Sequence, residues 1–323
     1  RVVTRLDSFI NAYGARATLF EIWHGNPSLF DLLVLLFDRS EFLAEVAIRA
    51  PDLIDEQVAH GYIQRRRTAA ETLADLRHGL RDEDQHAWLR RYHQAEQMRV
   101  GLRDILGLAD PEQYLTELSA LAEACLQYAL ESVMRQHGWT AAPLAIIGLG
   151  KLGGAEIDYG SDLDVLFVTD APTRELPRLQ QAALDLMDLL SRRTEHGVVF
   201  QMDARLRPDG DAGLLVNTVS AYEEYYRRRA QLWEIQAISR ARFIAGNAAV
   251  GEQFQRLAAA LTDFRPANVA TEFGLATTAT SRAPSTAAVP RTKPHRQARG
   301  GSAGGLAAYS SDWKQKIHQM RMR

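Results

Sequence analysis

Residues 161–168 read SDLDVLFV, and this stretch restricts the fold more than any other part of the chain. Its apolar run marks a strand. Successive strand side chains point to opposite faces, so Asp162 and Asp164 share one face, roughly 6.5–7 Å apart at their Cα atoms. Leu163 and Val165 point the other way, into a core. The strand must therefore bury one face and turn the other toward a cleft. Two carboxylates this close repel, and each resists ionising. A divalent cation removes the conflict, and Mg²⁺ takes carboxylate and phosphate oxygens while keeping several waters.

A third carboxylate, Asp203, lies in VVFQMDARLRPDG, read as a strand beginning at Val198 and running through Met202 to Ala204. If that strand pairs beside the first, Asp203 joins Asp162 and Asp164. Three carboxylates are the usual protein share of a two-metal site for in-line phosphoryl or nucleotidyl transfer. Upstream stands GLGKLGG. Gly153 and Gly154 let the backbone approach a phosphate, with their amide N–H groups as donors. Lys151, Arg205 and Arg207 are candidates to neutralise phosphate charge, and Ser161 is a further candidate nucleotide contact.

The string GLGKLGG is not a P-loop, because no Ser or Thr follows the lysine. It does match G-x-G-x-x-G, but SDLD begins only eight residues after Gly153, too soon for a dinucleotide-binding helix. Arg205 and Arg207 are equally able to pair with Asp203 or Asp209. Asp209-Gly210 reads as a turn, and Asp158 serves the loop before the strand.

Around this centre the chain is organised unevenly. Residues 1–138 read as helix after helix, with Leu32–Phe37 and Phe42–Ile48 crowded by apolar residues and Pro51 as punctuation. Asp110, Pro111 and Gln113 form an N-terminal capping pattern. Leu115, Leu118, Ala122, Cys125, Ala129 and Val133 then follow at helical spacing, which puts Cys125 on a buried stripe. From Ala141 strands enter: 144–147, 163–168 and 198–204. A helix is marked by Leu179, Ala183, Leu186 and Leu190, with Gly197 as its C-terminal cap. Residues 219–260 read as helix again. The expected class is α+β, a mixed sheet with packed helices over 139–265, preceded by the helical region 1–138. Residues 266–311 are low in complexity, and 275–311 contain no Asp or Glu, so disorder is expected there. Residues 312–323 read as the start of a helix cut short. No internal repeat is visible.

Of the 323 residues, 46 % are apolar, enough for a substantial core. Basic and acidic residues number 38 and 40, a net charge of −2, without the basic excess of a protein that grips a nucleic-acid backbone. The single cysteine forbids an internal disulfide framework and fits a reducing cytoplasm. No apolar run is long enough to span a membrane, and no signal-peptide pattern opens the chain. It opens at Arg1 rather than Met, which suggests a piece of something longer.

The order Gly-Gly, seven residues, Asp-x-Asp, then a distant strand Asp is similar to that of the nucleotidyltransferase superfamily that includes DNA polymerase β. GKLGG, SDLDVLF, DARLRPDG and WEIQAISRAR, in that order, resemble the bifunctional glutamine synthetase adenylyltransferase/adenylyl-removing enzyme family. The segment NPSLFDLLVLLFDRSEFLAEVAIRAPDLID resembles the helical region before that family's catalytic domain, and the resemblance covers roughly residues 15–265. It implies Mg²⁺-dependent transfer of AMP from ATP to a tyrosine of glutamine synthetase, in the regulation of nitrogen assimilation. It also implies control by PII signal proteins and glutamine. By the same resemblance Asp162, Asp164 and Asp203 bind metal, and Gly153 and Gly154 line the nucleotide phosphates. Trp233, Glu234, Gln236 and Arg240 match a family motif, for which core packing and a buried ion pair are expected.

Two departures stand out. The family carries two nucleotidyltransferase copies and this chain shows one. The form SDLD with DARLRP looks more like the adenylylating copy than the removing copy, which tends toward SDID with DMRLRP. The long helical bundle expected after the catalytic domain is replaced by the low-complexity segment, although WKQKIHQMRMR resembles its beginning. A truncated or frame-disturbed product is one expectation. Phosphorolytic removal of AMP, and a silent fragment that only binds glutamine synthetase or a regulator, are the alternative functions. A nucleic-acid polymerase is disfavoured by the charge.

Overall fold

Short helices, each started by a polar cap or a proline, build the first part of the chain. The computed structural model describes residues 1–54, 62–79 and 84–263. Helices α1 (Val2–Tyr13), α2 (Arg16–Gly25), α3 (Pro27–Arg39) and α4 (Glu41–Arg49) pack around Phe9, Leu33, Leu36, Phe37 and Leu43. Pro27 opens α3, where its missing N–H costs nothing. Ser40 Oγ accepts the N–H of Leu43 at 3.1 Å and caps α4. Helix α5 (Ala69–His78) starts with a Thr68–Glu71 capping box.

Helices α6 (Gln85–Ile105) and α7 (Pro111–Gln136) are the long members. The capping box of Asp110 and Gln113 forms at α7 as its sequence requires. Helix α7 is buried on most of its circumference and belongs to the same core as the sheet strands that follow. Cys125 is fully buried, and burial pushes its thiol up, away from the reactive thiolate. Helix α6 holds a buried ionic network, and also His93, which is 2 % exposed and edge-on to Phe200 at 4.6 Å.

Among the described residues neither ring nitrogen of His93 has a hydrogen-bond partner, and burial holds its imidazole down to about 3. The unfolded chain takes up a proton there near pH 6.5, whereas the folded chain does not until about pH 3. Stability is therefore complete above pH 6.5 and falls as the pH drops through this window. His93→Leu is expected to lose about 2 kcal/mol less than the parent between pH 7 and pH 5. Urea unfolding at the two pH values checks this, and identical losses would contradict it.

The sheet contains β1 (Leu144–Gly148), β2 (Leu163–Thr169), β3 (Met202–Asp203), β4 (Val216–Thr218) and β5 (Arg242–Gly246). Strand β1 lies antiparallel between β2 and β5, while β3 and β4 both pair parallel to β2. The remaining helices are α8 (Gly150–Gly153), α9 (Leu176–Ser191), α10 (Val219–Arg228), α11 (Leu232–Ala237) and α12 (Ala248–Leu261). Leu163, Val165 and Phe167 join the core shared with α7 and α9, and Leu166 and Val168 join the opposite core with α10 and α12. Helices cover both faces, so apolar residues run without a break from Val165 to Val168. This is the expected α+β mixed sheet.

Three local expectations are corrected. The third strand is confined to Met202–Asp203, because the N–H groups of Val199 and Phe200 both donate to Leu190 O at the end of α9. Gly197 is not a helix cap: α9 ends at Ser191 with Arg192 as its cap, and Gly197, at φ +80°, closes a separate turn with Thr194. The stretch 219–260 is not all helix, because β5 pairs with the free edge of β1. No helix among the described residues is long and apolar enough to cross a membrane. The expectations for 266–311 and 312–323 lie outside the described residues.

Candidate active site

Strand β2 enters the sheet immediately after Asp162. Asp162 is exposed and Asp164 is half-buried, while Leu163 and Val165 are fully buried on the other face. Parallel pairing puts Asp203 directly opposite Asp164. The three carboxylates anticipated from the sequence thus converge at one end of the sheet.

Their electrostatics divide them. Burial raises the Asp164 carboxyl, and the charges of Asp203 and Asp162 raise it further, against smaller opposition from Arg205 and Lys151. Asp203 is lowered, first by the hydrogen bond from the Arg205 guanidinium. Arg205 Nε lies 3.0 and 2.9 Å from the two Asp203 oxygens, and its backbone N–H donates to Oδ1 at 2.8 Å. The charge of Arg205 is therefore spent on Asp203. Among the described residues no three acidic, His or Cys side chains form a ready-made metal cage. The donor set nevertheless suits a hard cation, since all three side chains offer carboxylate oxygens.

The glycine turn meets this site at a residue the sequence reading did not select. Gly150 sits at φ +52°, and a Cβ there would stand 2.4 Å from Asp164 Oδ2. Its only sequence signal is the second glycine of GLG. Gly150→Ala is expected to cost about 1–2 kcal/mol through the left-handed backbone and to displace the Asp164 carboxylate. Thermal unfolding checks the first effect, and unchanged stability would contradict it.

Gly153 and Gly154 are placed differently from expectation. Their N–H groups donate to Leu149 O at 2.8 Å and Gly150 O at 3.1 Å, so they are used within the turn. A Cβ on Gly153 would stand 2.0 Å from the Arg240 carbonyl oxygen, so its close approach is to the protein backbone. A Cβ on Gly154 would meet the Arg240 guanidinium at 2.9 Å. Lys151 Nζ donates to Ser161 Oγ at 3.1 Å, and Ser161 Oγ accepts the Asp158 N–H at 3.2 Å. Asp158 thus serves the loop, as anticipated.

Arg207 is largely buried and donates to Ala204 O at 2.9 Å and Gly213 O at 3.3 Å, with Asp211 at 3.6 Å. Asp209, at φ +62°, turns the chain and pairs with Arg229. The buried ion pair expected in the 233–240 motif is not buried. Arg240 pairs with Glu156 at 2.7 Å across the glycine turn, and both side chains are about half-exposed. Glu234 accepts from the Tyr225 hydroxyl and from Gln231 N–H, capping α11. Arg242 is a second residue the sequence reading missed. It donates to Leu152 O at 2.7 Å and Gly153 O at 3.0 Å, and pairs with Glu123 of α7 at 2.7 Å, clamping the turn to the helical layer.

A cleft of about 450 Å³ opens beside Asp162 and Asp203, between α9 and the β3–β4 edge. Leu184, Met187 and Leu215 form its apolar wall, and Arg205 and Asp211 lie on its polar side.

A short glycine turn, an Asp-x-Asp strand and a third strand Asp beside it, on a mixed sheet under helices, define a nucleotidyltransferase-type domain. The chain belongs to the glutamate-ammonia ligase adenylyltransferase family, whose pattern matches residues 30–257. It is 32 % identical over 267 residues to the bifunctional glutamine synthetase adenylyltransferase/adenylyl-removing enzyme of Chromobacterium violaceum, covering 78 % of this chain and 29 % of that protein. The enzymes of the same name from Aromatoleum aromaticum and Idiomarina loihiensis are each 34 % identical. They cover 79 % and 76 % of this chain, and 28 % and 29 % of their own lengths. The chain therefore spans less than a third of the length of these relatives.

Proposed function

We propose that this chain carries an adenylyl-transfer centre that moves AMP from ATP to a tyrosine hydroxyl of glutamine synthetase, within residues 139–265. The observation that carries the reading is the parallel register of Asp164 against Asp203, with Asp162 at the strand entrance. Asp162, Asp164 and Asp203 would hold Mg²⁺. When bound, the metal supplies charge stabilisation at the reacting phosphorus and lowers the pKa of the attacking hydroxyl.

The protein groups do the rest. Lys151 bonds only to the neutral Ser161 hydroxyl among its described partners, so its charge is available to the polyphosphate, with Ser161 and the glycine turn beside it. Gly153, Gly154 and Arg242 fix that turn, and Arg205 and Arg207 fix the segment after Asp203. The tyrosine oxygen bonds to the α-phosphorus, the bond from that phosphorus to the bridging oxygen breaks, and pyrophosphate leaves. The phenolic proton passes to solvent. This role places the protein in the cytoplasm as a regulator of nitrogen assimilation, with glutamine synthetase as partner and PII as a regulator.

The bifunctional names of the relatives motivate the reverse reading, phosphorolytic removal of AMP. Two incubations separate them. Adenylylation requires pyrophosphate to appear from Mg²⁺–ATP only when glutamine synthetase is present. ADP appearing from adenylylated glutamine synthetase and phosphate, without the first reaction, would assign the removing direction. Neither product, with no heat of Mg²⁺–ATP binding by calorimetry, would leave a silent binding fragment.

A further inference from the structure

We infer that the cleft between α9 and the β3–β4 edge receives the tyrosine-bearing segment of the protein acceptor. This rests on the adenylyl-transfer reading. An in-line displacement puts the attacking and leaving oxygens on opposite sides of the phosphorus. Lys151, a cation without a described carboxylate partner, stands with the glycine turn on the β1 side of Asp164. The leaving pyrophosphate belongs on that side. The attacking oxygen must then arrive from the other side, where β3 presents Asp203 and the cleft begins.

The lining of the cleft fits an aromatic acceptor. Leu184 is 52 % exposed, off the stripe of Leu179, Ala183, Leu186 and Leu190 that faces the core. Folding gains little from a leucine so exposed. Met187, one turn on, supplies a thioether of the kind that packs against aromatic rings. The volume of about 450 Å³ accommodates a phenol ring with flanking backbone. Asp203 at the inner end faces the position the phenolic oxygen would take. Two cations line this side, and each faces a carboxylate, Arg205 on Asp203 and Arg207 at 3.6 Å from Asp211, leaving little unmatched positive charge for a polyphosphate.

The test compares the parent with Leu184→Glu and Leu184→Ala. Binding to purified glutamine synthetase is read by biolayer interferometry, and binding of Mg²⁺–ATP by calorimetry. Leu184→Glu is expected to weaken glutamine synthetase binding at least about tenfold, Leu184→Ala less, with ATP affinity within about twofold of the parent. Leu184 is half-exposed, so both variants should fold, which thermal unfolding verifies. Unchanged glutamine synthetase binding, or no binding by the parent, overturns the inference. Loss of ATP affinity instead overturns it in favour of an adenine pocket. Because binding is read apart from turnover, an inactive parent that still loses acceptor binding on Leu184→Glu would refute adenylyl transfer and leave the docking site standing.

Discussion

Asp164→Asn should end adenylyl transfer and leave the protein more stable than the parent at neutral pH. Burial and the charges of Asp203 and Asp162 raise the Asp164 carboxyl. A raised carboxyl binds its proton more tightly in the folded state than in the unfolded one. Its contribution to stability is therefore complete below the unfolded value near 3.8 and is lost as the pH rises through the folded value. As the pH rises the ionised parent bears that penalty, and asparagine removes it at nearly constant volume. On the proposed reading Asp164 is one of three carboxylates that would hold Mg²⁺, and its removal would forfeit several kcal/mol of transition-state stabilisation, so the rate should fall by about 10³ or more. Mg²⁺–ATP at a hundredfold excess over its dissociation constant should stabilise the parent by about 2.7 kcal/mol and the variant by much less. Asp203→Asn should show the opposite stability sign. Arg205 lowers that carboxyl, so its contribution is present at neutral pH and lost as the pH falls through the lowered value. Thermal unfolding of both variants at pH 7, with the transfer assay, checks the pair of signs. Equal and negative stability changes would contradict the electrostatic account.

The largest stability effect is expected away from the site, at Glu117→Ala. Glu117 of α7 is fully buried and accepts from Arg99 Nη2 at 2.9 Å and Arg103 Nε at 3.2 Å, both on α6. Arg99 Nε also pairs with Glu96 at 2.9 Å. The outer nitrogens donate to backbone carbonyls at Arg65 and Ile63, each at 2.7 Å. This network ties three segments of the helical region together. Deleting Glu117 leaves two buried guanidinium groups with Glu96 as the nearest remaining carboxylate. Breaking a buried pair in this way costs about 3–5 kcal/mol, a large share of the ~5–15 kcal/mol that holds a domain together. In a domain of this size that lowers Tm by about 6–20 °C. Scanning calorimetry decides it, and a shift below about 2 °C would show that water or rearranged partners satisfy the arginines.

The placement of Asp162 and Asp164 at one strand was legible because its signal is local. Period-two alternation put Asp162 and Asp164 on one face, and Met202-Asp203 lay in an apolar stretch able to pair alongside. The capping box at Asp110 and the buried stripe through Cys125 were legible for the same reason. What failed depends on partners distant in sequence. Strand β5 is short and becomes a strand because β1 offers a free edge. Val199 and Phe200 leave the expected strand because α9 ends with the Leu190 carbonyl open to them. The backbone of Arg240 leaves no room for a side chain at Gly153, and Arg242 clamps the turn from a strand that the local pattern does not mark. The 233–240 motif is legible only once the chain is folded, when Arg240 arrives over Gly154 and Glu156.

Transfer of label from ATP to purified glutamine synthetase tests the central claim most directly. With Mg²⁺ and this chain, label at the α-phosphorus should become bound to glutamine synthetase and label at the γ-phosphorus should not. Asp164→Asn should abolish the α-label signal. Absence of α-label with the folded parent, or undiminished transfer by Asp164→Asn, would contradict the account.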